Sequence, residues 1–219
     1  MPRAMSVAKE LVKLAAAAGR PLSTVKLQKL LYFTQAWSLA TRDSQLFPEP
    51  MEAWVAGPVV RDVFDATKKA GGQVPGVGAF AGCGDLLAED AGLVRAVWDQ
   101  YGAYPGDELI DMTHGDGPWL AARGDLPPRA RGDNPIPLGM VADIYGGRDR
   151  PEPIAAYERA LAAADAAAAE RLALVPRLDL ARFKARVPPP PAAWFDRELQ
   201  LEAAADAADD EDDAEDEHE

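Results

Sequence analysis

The chain has 219 residues, 48% of them nominally apolar, with 23 Lys and Arg against 36 Asp and Glu and a single cysteine. One cysteine excludes a disulfide framework and a thiolate-built metal site, and suits a reducing compartment. Because 43 residues are Ala, and Gly and Pro add 18 and 19, the large apolar side chains can fill only one modest core with loops and appendages beside it.

At the N-terminus the apolar stretch from Leu11 to Ala18 is interrupted by Lys13 and preceded by Lys9 and Glu10, so no secretory leader is expected. No window reaches the ~18 uninterrupted apolar residues of a membrane-spanning helix, and a cytoplasmic protein without membrane contact is expected. The first helix is predicted with Ser6 as its cap, Val7, Leu11, Leu14 and Ala18 on one face, and Gly19 as its stop. After Pro21, the segment STVKLQKLLYFTQAWSLATR sets Leu27, Leu30, Leu31, Thr34 and Trp37 at three-and-four spacing behind a Ser23 or Thr24 cap, the strongest helix signal in the chain.

Pro48, Pro50, Gly57 and Pro58 make the next stretch a loop, with a third helix expected to start at Pro58, to turn Val59, Val60, Val63 and Phe64 inward, and to stop at Gly71 and Gly72. Residues 71–84 read as loop. A fourth helix is predicted over Asp90–Tyr101, and a fifth over DELIDMTH after Pro105, with an acidic first turn that complements a helix N-terminus. Gly115 and Gly117 break it, GDLPPRARGDNPIP is turn-like and basic, and LGMVADIYGG reads as one more short helix, with the folded core ending near Gly147.

Beyond it, IAAYERALAAADAAAAERLALV has high helix propensity and few large apolar residues, so propensity rather than packing is expected to hold it. Pro188–Pro191 is a stiff extended spacer before AWFDRELQL, where Trp194, Phe195, Leu199 and Leu201 either form a docking peptide or pack back on the core. From Glu202 onward 11 acidic residues stand with no Lys or Arg, which predicts a disordered tail and leaves the rest of the chain nearly neutral.

Little supports catalysis. His114 and His218 are the two histidines, and neither keeps company with a nucleophile elbow, a phosphate-binding loop or a dinucleotide fingerprint. His114 with Asp111 and Asp116 is a weak metal-ligand pattern, and a helix-terminal histidine bonding locally is the favoured reading. No catalytic residues, no metal and no cofactor are assigned.

Three motifs in order, KLQKLLYFTQAW (Lys26–Trp37), EAWVAGPVVRDVF (Glu52–Phe64) and ELIDMTHGDGPW (Glu108–Trp119), resemble the Panacea domain of the SocA-like antitoxin family over roughly residues 6–147. The resemblance implies an antitoxin that binds its cognate toxin directly and, in the SocA branch, an adaptor that delivers the toxin to the ClpXP protease. A DNA-binding regulator or a phage-associated protein of the same fold is the alternative, though scattered Lys26, Lys29, Lys68 and Lys69 give little of the basic face that DNA requires.

The expected architecture is mainly α, with a small strand pair in the loop regions. It comprises a Panacea-like domain over 1–147, an Ala-rich helical extension over 148–187, and the spacer, apolar motif and tail over 188–219. Leu27, Leu31, Tyr32, Trp54, Gly57, Pro58, Pro118 and Trp119 are assigned to the motif core, with the Gly57-Pro58 step fixing a helix entry and Pro118-Trp119 anchoring a loop. Gln28, Lys29, Gln35, Arg61 and His114 are expected to be exposed and to contact the toxin, and Trp194, Phe195, Leu199 and Leu201 to dock the protease.

Overall fold

The computed structural model describes residues 1–68 and 72–174. Residues Met1–Ala168 form one compact unit and Ala169–Glu219 a second, of which only residues 169–174, the end of one helix, are described. The spacer, the apolar motif with Trp194, Phe195, Leu199 and Leu201, the acidic tail and Lys69 lie outside the described residues.

Helix α2 (Thr24–Arg42) is the pillar of the fold, and every residue from Lys26 to Ser38 is buried. Its apolar residues are spread around the whole circumference, as a helix wrapped by neighbours requires. Ser23 caps it, its Oγ accepting from the Lys26 N–H at 3.1 Å. Helix α1 (Ala4–Ala17) packs Val7, Leu11 and Ala15 against α2 and α4 (Ala88–Tyr101), and α4 returns Leu93, Val94, Val97 and Trp98. Ser6 lies inside α1 rather than capping it. A carboxylate far along the chain does that work, because Glu49 Oε2 accepts from the Ala4 N–H at 3.0 Å.

Aromatic rings tie α2 to its other neighbours. Phe33 stacks on Tyr101 with centroids 4.2 Å apart, and Trp37 meets Tyr145 of α7 (Leu138–Gly146) edge-on at 5.2 Å while its Nε1 donates to the Tyr101 hydroxyl.

The expected strand pair exists, but it replaces the predicted start of the third helix. β1 (Glu52–Trp54) and β2 (Gly57–Val59) pair antiparallel, with Glu52 opposite Val59 and Trp54 opposite Gly57. Helix α3 (Arg61–Thr67) begins only after Val60. Pro58 therefore sits in a strand, where its missing N–H is tolerated because β2 is an edge. Gly57 takes φ +91°, and a Cβ there would stand 2.5 Å from Lys29 Nζ, so both conformation and space demand glycine.

A short helix, α6 (Gly117–Arg123), forms where a loop was expected after α5 (Gly106–His114). Pro118 falls in its first turn, where no N–H is needed, so the Gly-Asp-Gly-Pro run starts a helix instead of ending order. Within the expected loop over 71–84, Val77–Phe80 make a 3-10 turn that buries Phe80.

The packed core also runs past Gly147. Ile154 and Tyr157 in the first turns of α8 (Glu152–Leu174) join it, so packing as well as propensity holds this helix at its start, whereas Ala162–Ala168 are exposed. No helix among the described residues is long and apolar enough to cross a membrane.

Candidate functional site

The polar residues of α2 face inward, onto the chain that follows the helix. Gln35 Oε1 accepts from the backbone N–H groups of Leu46 and Phe47 at 2.9 and 3.2 Å, and its Nε2 donates to the Phe47 carbonyl at 3.1 Å. Gln28 does the same two turns earlier, accepting from the Val60 N–H at 2.8 Å and donating to the Val60 carbonyl at 3.4 Å. Lys29 Nζ donates to the Pro58 carbonyl at 2.9 Å. Together Gln28 and Lys29 stand in for a further strand along the outer edge of β2, and Gln35 pins the loop that leads into β1. The opposite edge of the hairpin is covered by residues 134–136, through the Asn134 carbonyl and the Ile136 N–H.

These side chains correct the expected surface. Gln28, Lys29 and Gln35 are 2%, 1% and 0% exposed, so they are not the exposed polar contacts assigned to a toxin. His114 is half-buried, its ring stacked on Trp119 at 3.9 Å, and burial together with the nearby Lys29 charge lowers its pKa. Asp116 is spent elsewhere, accepting from the hydroxyls of Tyr32 and Tyr145 at 3.0 and 2.6 Å and pairing with Arg148. It therefore stands apart from His114 as a ligand set.

Arg61 is exposed as expected, and its guanidinium forks onto both carboxylate oxygens of Glu52 at 2.9 and 2.6 Å while lying 5.3 Å over the Trp54 ring. Among the motif residues, Leu27, Leu31, Tyr32, Gly57, Pro58, Pro118 and Trp119 are buried. Trp54 is the exception, half-buried, with its face turned to Phe64 at a centroid distance of 4.8 Å and its Nε1 on Glu52 Oε2.

What Trp54 faces is a groove of about 860 Å³ bounded by the start of α2, the hairpin and α3. Its apolar wall is Val25, Trp54, Val55, Val59 and Phe64, and of these five Val25 and Val55 are 39% and 37% exposed. Arg61, Lys68 and Arg131 stand at the lip with Asp133, and Glu52 and Asp65 lie beside it as the ion-pair partners of Arg61 and Lys68. The buried Thr24 hydroxyl borders the same space and has no hydrogen-bond partner among the described residues.

Lys29 also borders the groove, held as a buried amine with no carboxylate within ion-pair distance among the described residues, and burial pulls its pKa down to about 7. Of the five residues expected to bind, the groove gathers Gln28, Lys29 and Arg61, and leaves Gln35 and His114 outside its lining. Val25, Val55, Phe64, Lys68 and Arg131 were not foreseen. Arg131 lay within the stretch noted as basic and turn-like, and nothing in the linear order connects it to Phe64.

Residues 27–120 match the family model described as Antitoxin SocA-like, Panacea domain. The chain contains a SocA-like Panacea domain. The matched span takes in α2, the hairpin, α3, α4, α5 and the start of α6, and so most of the groove wall. Around it the compact unit adds α1, α7 and the start of α8. No curated protein and no solved structure matches the chain.

Proposed function

We propose that this protein is the antitoxin of a toxin–antitoxin pair, that it neutralises its cognate toxin by direct binding, and that it acts as an adaptor delivering the toxin to ClpXP. The observation that carries this reading is the Panacea-domain match over residues 27–120. The groove supports it, since a concave site that sets the part-open Val25 and Val55 beside two aromatic rings is the kind of pocket that receives an anchoring side chain of a protein partner.

The reading is of a binding protein in the cytoplasm rather than an enzyme, with the polar groups of α2 committed to holding backbone rather than to chemistry. Cargo is assigned to the Panacea domain, and protease docking to Trp194, Phe195, Leu199 and Leu201. Separate surfaces are required because an adaptor must hold cargo and unfoldase at once, and a tethered docking peptide gains effective concentration at the protease.

The test is a purified system of full-length protein, the product of the adjacent gene and ClpXP. Trp194→Ala with Phe195→Ala should slow toxin turnover while toxin affinity is kept. Full turnover by that variant overturns the protease assignment, and absence of binding to the neighbouring gene product overturns the antitoxin reading for that pair. A gel shift on the protein's own promoter region reports the DNA-binding alternative separately.

A further inference from the structure

We infer that the groove seats a linear segment of the partner toxin in which a bulky apolar side chain is flanked by acidic residues. The inference rests on the antitoxin reading for whose segment it is, and on the groove alone for its chemistry. The wall supplies two aromatic faces at an angle, Trp54 and Phe64, with Val25 and Val55 partly open to water, so an inserted apolar side chain removes surface that the fold itself leaves wet.

Charge then selects the flanks. Arg61 lies over the Trp54 ring and Lys68 over the Phe64 ring, at 5.3 and 6.0 Å, and Arg131 joins them at the lip. Each aromatic face that would grip an apolar side chain therefore carries a cation beside it. Both cations already have partners, but of different kinds: Lys68 and Asp65 form an open pair, 47% and 51% exposed, which contributes little, whereas Arg61, 49% exposed, forks onto a Glu52 carboxylate that is only 14% exposed. An incoming carboxylate can take Lys68 from Asp65 and share the open side of Arg61.

A nucleic acid fits less well. Glu52, Asp65 and Asp133 stand among the same cations and would repel a continuous phosphate backbone, whereas a peptide can place isolated carboxylates where the cations are. An all-apolar segment leaves the lip unused, and a basic one is repelled by it.

Fluorescence anisotropy with the full-length chain tests this. The probe is a labelled synthetic peptide with adjacent Trp and Leu between acidic flanks, and the comparators are the same peptide with Lys flanks, the same with Ala at the centre, and a thymidine oligonucleotide. The acid-flanked apolar peptide should bind best. Val25→Glu, and separately Lys68→Glu with Arg131→Glu, should each weaken it by about tenfold or more, the second also shifting preference to the Lys-flanked peptide.

All three positions are solvent-accessible, and thermal melting of each variant keeps loss of binding apart from loss of fold; a melt lowered in one variant leaves the other to decide. No binding of the probe, binding indifferent to both changes, or displacement by the oligonucleotide overturns the inference. Toxin neutralisation that survives both variants overturns the groove as the toxin's seat and leaves the antitoxin reading intact, whereas a toxin never bound by the wild-type chain overturns that reading and leaves the peptide titration to stand alone.

Discussion

Two buried charges on either side of α2 are treated in opposite ways. Asp116 is 2% exposed and fully compensated, with two tyrosine hydroxyls and the Arg148 guanidinium on its oxygens. Lys29 is 1% exposed and has one carbonyl acceptor, that of Pro58, with no carboxylate within ion-pair distance among the described residues. The first arrangement closes a structural joint, because a carboxylate satisfied from three directions locks α2, the N-terminus of α6, α7 and the residues after α7 together. The second keeps a desolvated amine beside an open groove. A fold that compensates one ion so completely and leaves the other nearly alone has its rigid side at Asp116 and its interactive side at the hairpin.

The largest break in that contrast should come from Asp116→Ala. It removes the carboxylate that both buried tyrosine hydroxyls donate to and frees Arg148, and urea titration should show a loss of roughly 3–5 kcal/mol. A loss below about 1 kcal/mol would mean that water replaces the carboxylate and that the joint is not rigid. Gln35→Ala comes next. It strips two backbone N–H groups and one carbonyl of their partner in a buried loop, at an expected cost of roughly 2–4 kcal/mol, with faster amide exchange at Leu46 and Phe47.

The Lys29 side of the comparison is read by pH. Its folded pKa of about 7 lies below the unfolded 10.5, so between these values the unfolded chain holds the extra proton and stability rises with pH. The slope should approach about 1.4 kcal/mol per pH unit between pH 7 and 10. It should reverse above pH 10, where Tyr32 and Tyr145 keep their protons only in the fold, burial having raised both pKa values. Lys29→Met should remove most of the rise, leaving the part due to Lys26, whose pKa burial also lowers. An unchanged slope would show that Lys29 is hydrated.

Smallest in stability is Trp54→Ala. Sequence reasoning places Trp54 in the core, where truncation costs about 3–5 kcal/mol, but a half-buried ring at the groove should cost roughly 1–2 kcal/mol and act mainly on partner binding. A cost in the core range would show that the hairpin cannot hold without its tryptophan.

The contrast also marks how far the linear order of residues reaches. The 3.6-residue period, the glycine stops and Pro105 placed α1, α2, α4, α5, α7 and α8 close to where they lie, because helix formation is governed by near neighbours in the chain. Apolar Leu27, Leu30 and Leu31 were legible as core for the same reason. The three motifs, read together, were enough to identify the Panacea domain.

What the residues could not announce is where the polar side chains of α2 point. Gln28, Lys29 and Gln35 on a helix default to water, and only the return of residues 44–60 across α2 turns them into clamps for a backbone that would otherwise be buried without partners. Pro58 reads as a helix start until β1 is laid beside it. The groove is farther still from the sequence, since Val25, the Trp54 and Phe64 pair, and Arg131 come from three separate stretches. Periodicity reports on residues a few positions apart, whereas a binding surface is set by which elements pack, and that is decided by the whole core at once.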